Sequence, residues 1–199
     1  RQWLLFWAAV PFGVAFFTSI DVVAIRRHLK PLAPVLSALR TVGGETLTLT
    51  GTGTVNGNAT LTGNGTINKS SGTIAGTLGV TGGKWNGAGA VTGLVTSSSG
   101  TFTIGNGANL TANGDLSVTG GTIAAGNAAS TITGNVSYTS GSNSTFAGIM
   151  AGSGNLTEAG PGTLLLTGAN TYTGTTYVSA AGGTLQLKRP GGNTLPVTN

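Results

Sequence analysis

Three acidic residues fall in the long middle of the chain: Glu45, Asp115 and Glu158. Two carboxyls held a few ångströms apart could cut a glycosidic bond, one as acid and the other as nucleophile or base. A cluster of carboxyls could hold Ca²⁺. These three stand 70 and 43 residues apart. In a coil that stacks every twenty or so residues, that spacing separates them by roughly 10–15 Å along the axis. His28 is the only histidine and sits beside Arg26 and Arg27, so no Ser/His/Asp set can form far from it. There is no cysteine, which excludes thiolate metal sites and cysteine nucleophiles.

Other motifs carry little. Gly-x-Gly matches are common among 36 glycines and do not mark a phosphate loop. Seven Asn-x-Ser/Thr triplets, at Asn58, Asn64, Asn68, Asn109, Asn135, Asn143 and Asn155, follow from the abundance of Asn and Thr. Thr-x-Thr pairs at Thr46/Thr48/Thr50, Thr101/Thr103, Thr131/Thr133 and Thr171/Thr173 could match an ice lattice, but they do not recur at one fixed spacing. The expectation is no enzyme, no cofactor, no metal and no catalytic residue. A polysaccharide-active enzyme and an ice-binding protein are kept as minor alternatives.

The charge is unevenly placed. Of a net +5, residues 1–40 hold Arg1, Arg26, Arg27, Lys30 and Arg40 against Asp21. Residues 41–187 hold Lys69 and Lys84 against the three acids. A nucleic-acid reader needs a basic patch over its folded surface, and the middle has none.

Residues 1–28 read as a hydrophobic helix. Trp3 to Ile25 carry one charge, Asp21, and at 1.5 Å per residue a helix of that length reaches roughly 35 Å. Trp3 and Trp7 would mark one membrane interface, and Arg26, Arg27 and Lys30 the other. An uncleaved anchor fits the length best. A signal peptide and a helix buried in an assembly remain open. For an anchor, the positive-inside rule would keep the chain beyond Lys30 in the cytoplasm, against a surface location. Residues 29–40 read as an amphipathic connector or cap, with Leu29, Leu32, Leu36 and Leu39 at spacings of three and four.

From Thr41 to Leu187 the texture is Thr alternating with Leu, Ile, Val or Phe, closed by Gly or Asn. A period of two buries one face of a strand. Gly-Thr-apolar starts recur, 21 residues separating Gly100 from Gly121. Forward recurrence without hairpin turns points to coils stacked in parallel. The expected fold is all-β: a right-handed parallel β-helix of about seven coils over 41–187. The expected inward residues are Leu47, Leu49, Val55, Leu61, Ile67, Ile74, Leu78, Val80, Phe102, Ile104, Leu110, Leu116, Val118, Ile123, Ile132, Val136, Leu164, Leu166, Val178, Leu185 and Leu187. Ser140 to Ser144 is expected to leave the rod as a loop. Residues 188–199, with Pro190 and Pro196, read as a flexible tail.

Residues 160–187 sharpen this reading. Gly162-Thr163-Leu164 returns as Gly183-Thr184-Leu185, with Thr167-Gly168, Asn170-Thr171-Tyr172-Thr173-Gly174, Thr176 and Val178 between. This stretch resembles the autotransporter-associated β-strand repeat of bacterial autotransporter passenger domains; one departure is Thr175, where that family usually repeats Gly. The resemblance implies a right-handed parallel β-helix on or beyond an outer membrane, and no catalysis. That family normally ends in a large membrane β-barrel, which the sequence to Asn199 does not contain. The expectation is therefore a non-enzymatic extracellular stalk or adhesin, membrane-anchored or secreted, at a bacterial envelope. The alternative is an anchored accessory subunit of a larger membrane complex. Its expected partners are the membrane through residues 3–25, and other subunits or a surface polymer, with no nucleic acid.

Overall fold

The computed structural model describes residues 19–21, 41–43, 46–49, 54–69, 72–179 and 182–188. Among them every regular element is a strand, and each strand pairing is parallel. Alternating Thr and aliphatic residues cannot bury a face alone. They do so here by closing into a coil and stacking coil on coil.

Three faces run along the rod. The first stacks Thr46–Leu49, Thr66–Lys69, Gly83–Val91, Thr101–Ile104 and Thr122–Ala125, then Ser144–Phe146, Thr163–Leu166 and Thr184–Leu187. The second stacks eight strands from Thr41–Gly43 to Thr176–Val178. The third includes Thr73–Ile74, Asn109–Ala112, Thr131–Thr133 and Ile149–Ala151.

The second face sets the turn length. From its second strand on, the partners Ala59, Leu78, Val95, Leu116, Val136, Leu156 and Thr176 mark six turns. These turns take 19, 17, 21, 20, 20 and 20 residues, so the expected seven coils near a fixed 21 become about six of unequal length. The shortest has a visible cause. Gly83–Val91 runs from the first face onto the third as one strand, without a corner loop. Gly87 within it has φ +85°, a bend open to glycine at low cost. At about 4.8 Å per rung the six turns rise roughly 30 Å.

Sixteen of the expected inward residues are buried, from Val55 to Leu166, and Leu185 and Leu187 pack against them. Val178 is a correction. It continues an inward column yet is 43% exposed, because its rung, the last described on this face, has a stacked neighbour on one side only among the described residues. Leu47 and Leu49 lie in a described strand whose side chains are not described. The core also holds Trp85, Tyr138, Phe146, Met150, Leu156 and Tyr172.

The corner between the second and first faces is tight. Gly100 and Gly121 have φ of +64° and +71° there, and a Cβ on Gly121 would lie 2.1 Å from the Gly100 carbonyl oxygen. Ser140 to Ser144, expected to leave the rod, instead forms part of this corner, which corrects that expectation. Ser140 and Ser144 are buried. Ser140 donates to the Gly121 carbonyl at 2.7 Å, while the Ser144 hydroxyl accepts the Ile123 amide at 2.9 Å and donates to the Ile123 carbonyl at 2.6 Å. Short hydroxyl side chains replace backbone pairing where the coils part.

Candidate functional site

The repeat between Gly162 and Leu185 lies on the last turns of the rod, and each of its marked residues has a packing task. Gly162 is required by closeness: a Cβ there would sit 2.3 Å from the Ser142 carbonyl oxygen. The Thr163 amide donates to Asn143 Oδ1 at 3.0 Å. Leu164 is fully buried, stacked between Ser144 and Leu185. Thr163 and Thr184 are rung partners.

Asn170 holds its turn from both ends. Its Oδ1 accepts the Met150 amide at 2.9 Å, and its Nδ2 donates to the Gly168 carbonyl at 3.3 Å. Tyr172 is buried, with its hydroxyl 2.7 Å from the Thr176 hydroxyl. Burial pushes the Tyr172 phenol above its ordinary value, and the Thr176 hydrogen bond opposes that shift. Gly174 passes so near Gly154 that a Cβ would lie 2.3 Å from its carbonyl oxygen. The described residues of the stretch serve the stacking of its turns.

A ladder of side-chain amides supports the same turns. Asn135 Nδ2 donates to Asp115 Oδ1 at 2.7 Å. The Asn155 amide donates to Asn135 Oδ1, and the Thr175 amide to Asn155 Oδ1, both at 2.7 Å. The spacing of 20 places one acceptor on each coil and satisfies a turn N–H that would otherwise be unpaired. Asp115 starts this ladder in the left-handed region, φ +76°, which an acidic or amide side chain tolerates.

Residues 156–187 match the family model described as Passenger-associated-transport-repeat. This segment is similar to a passenger repeat. It covers the last turns of the rod, well short of half the chain, and agrees with the likeness to autotransporter passengers drawn from residues 160–187. No curated protein and no solved structure matches the chain.

Asp115 and Glu158 stand in opposite settings. Asp115 is exposed on the outside of the rod. Glu158 has no exposed surface, lies in an inward column, and neither of its oxygens has a hydrogen-bond partner among the described residues. Burial pushes its carboxyl above the usual carboxylate range. The Thr184 backbone N–H faces it and opposes that shift without reaching hydrogen-bond geometry. Alternation in Leu156-Thr157-Glu158 puts Glu158 on the side of buried Leu156, but its charge argued for the outside. Glu45 lies outside the described residues. Among the described residues no three His, Cys, Asp or Glu side chains gather as a metal site.

The Thr-x-Thr pairs do not form one array. Thr101 and Thr103 lie on the first face, Thr131 and Thr133 on the third. Two shallow grooves flank the second face. One of about 460 Å³ is lined by Gly82, Lys84 and Thr101, and one of about 400 Å³ by Asn113, Asp115 and Asn135.

The membrane-flanking residues Trp3, Trp7, Arg26, Arg27 and Lys30 lie outside the described residues, as does most of the helix expected over 1–28. Within that span Ser19–Asp21 is a strand paired with Thr46–Thr48. No helix among the described residues is long and apolar enough to cross a membrane. The connector at 29–40 and the tail beyond Lys188 also lie outside them.

Proposed function

We propose that this chain is a non-catalytic passenger: a β-helical stalk or adhesin rod at a bacterial surface. A parallel β-solenoid carrying a passenger repeat fits a secreted or cell-surface protein of bacteria. Stacking supports the finer reading. The marked residues of the repeat are engaged in it, which supports a structural role for the segment. The hydrophobic stretch ahead of the Ser19–Asp21 strand is its proposed membrane contact, with Trp3 and Trp7 at its border.

The test is topological. An epitope inserted at the exposed Gly141 should be labelled by antibody on intact cells of the producing bacterium. Labelling only after permeabilisation overturns the surface assignment. Deleting residues 1–28 should move the chain from the membrane fraction to the soluble fraction. An unchanged distribution removes those residues as the membrane contact.

A further inference from the structure

The outside of the second face carries an array that no single stretch of sequence displays. Gly79, Thr96, Ser117, Ser137 and Thr157 are rung partners in one outward column. Each lies between two buried residues of its strand, and all but Gly79 place a hydroxyl between inward side chains. Two residues further on, Thr81, Ser98, Thr119, Thr139 and Ala159 form a second column: Thr81 ends its strand, the other four directly follow theirs, and each of those four donates its backbone amide to a carbonyl of the preceding turn. Rungs are about 4.8 Å apart.

Three rows are complete: Thr96 with Ser98, Ser117 with Thr119, and Ser137 with Thr139. Thr81 and Thr157 extend the array at either end. The second column is also uniformly oriented. Ser98 donates to the Val80 carbonyl at 3.5 Å, Thr119 to that of Ser97 at 3.3 Å, and Thr139 to that of Val118 at 3.4 Å. These bonds are long and weak, but they turn three successive hydroxyls the same way. Neither column contains a charged residue, and neither flanking groove is lined by a residue of the first column.

We propose that this face is a binding site for a flat, ordered hydroxyl lattice, and that its ligand is the surface of ice. A single exposed hydroxyl gains about 1 kcal/mol at most from a hydrogen bond in water, since water competes for it. Affinity needs many such contacts made together by a rigid partner. A dissolved polymer chain follows one column and misses the other. A crystal face that repeats in two directions meets both. Ice is neutral, as the array is, and water held by fixed hydroxyls can join its lattice without new charge compensation. Sugar rings expose C–H faces that want an aromatic platform, and the array offers none between Thr96 and Thr157. Tyr177 stands only at the column's end. Ice binding by this face does not depend on the surface assignment above.

The test uses the full chain in mild detergent, with the detergent alone as blank, and reads thermal hysteresis and inhibition of ice recrystallisation. Both effects are expected. Ser117→Lys with Ser137→Lys should abolish them while the melting curve stays unchanged. Thr145→Lys, on the exposed side of the first face, should leave them intact. Ser117→Thr with Ser137→Thr should strengthen them by adding methyl groups in the same register. No hysteresis from the unmodified chain overturns the proposal, as does an equal loss in the Thr145 variant. Binding to crystalline cellulose or chitin that the Ser117/Ser137 lysines remove, without any effect on ice, assigns the face to a polysaccharide and overturns it too.

Discussion

Tyr138 and Glu158 are partners on adjacent rungs of one inward column, and only Tyr138 satisfies its polar end. The Tyr138 hydroxyl crosses the corner to donate to the Ser142 carbonyl. Glu158, one rung on, places a carboxyl in the same corridor with no partner for either oxygen among the described residues. Val178 above it closes the column incompletely.

Stability should therefore fall with rising pH. The folded state raises the Glu158 pKa above its ordinary value, so it binds the proton more tightly than the unfolded chain. Stability is then fullest below the unfolded carboxyl value, about 4.3, and declines as pH climbs through it toward the raised folded value. Melting curves from pH 4 upward should show this decline. Glu158→Gln should flatten it, and Glu158→Met should flatten it and raise stability at pH 8 by about 1–3 kcal/mol. An unchanged slope in both variants would assign it to other groups.

Phe102 tests the core. It is fully buried and in register with Gly83 below and Ile123 above. Phe102→Ala should cost about 3–5 kcal/mol in chemical unfolding. Phe102→Asp should remove the cooperative transition, since a buried unpaired charge costs more. Parent-like melting of the Asp variant would mean that the register is wrong.

The corner glycines should be intolerant in a graded way. Gly63 has φ +57° with open space around its missing Cβ, so Gly63→Ala costs only the left-handed conformation, about 1 kcal/mol. Gly121→Ala meets the same conformational cost and the carbonyl of Gly100 as well. Urea titrations of the two variants should rank Gly121→Ala as clearly the more damaging. Equal losses would show that the coils can separate there.

The amide ladder should act locally. Asn155→Ala removes the acceptor of the Thr175 amide on the exposed side of the turn. A loss of about 0.5–1.5 kcal/mol is expected. Hydrogen exchange should quicken at Thr175 and stay unchanged at Leu110, which lies several coils away in the buried core. Uniform acceleration would point to global destabilisation instead of a lost turn contact.

The alternation of Thr with aliphatic residues determined the strands, their parallel stacking and most of the core, because which face a strand side chain takes is a local property of the backbone. Leu61, Ile67, Leu110 and Ile132 could be placed inside without any knowledge of their neighbours. The repeat at residues 160–187 was legible for the same reason, since its residues serve the turn in which they stand. Trp85 was hidden because its strand, Gly83–Val91, is rich in glycine and alanine and does not alternate plainly. Glu158 shares the inward side with Leu156 by alternation, but its charge masked that signal, and the stacked rungs around it enclose it. The hydroxyl array was hidden because turns of 17 to 21 residues put its members at unequal distances along the chain. Only stacking decides which residues become neighbours across coils, since each corner adds or drops residues without disturbing the hydrogen-bonded register of the faces.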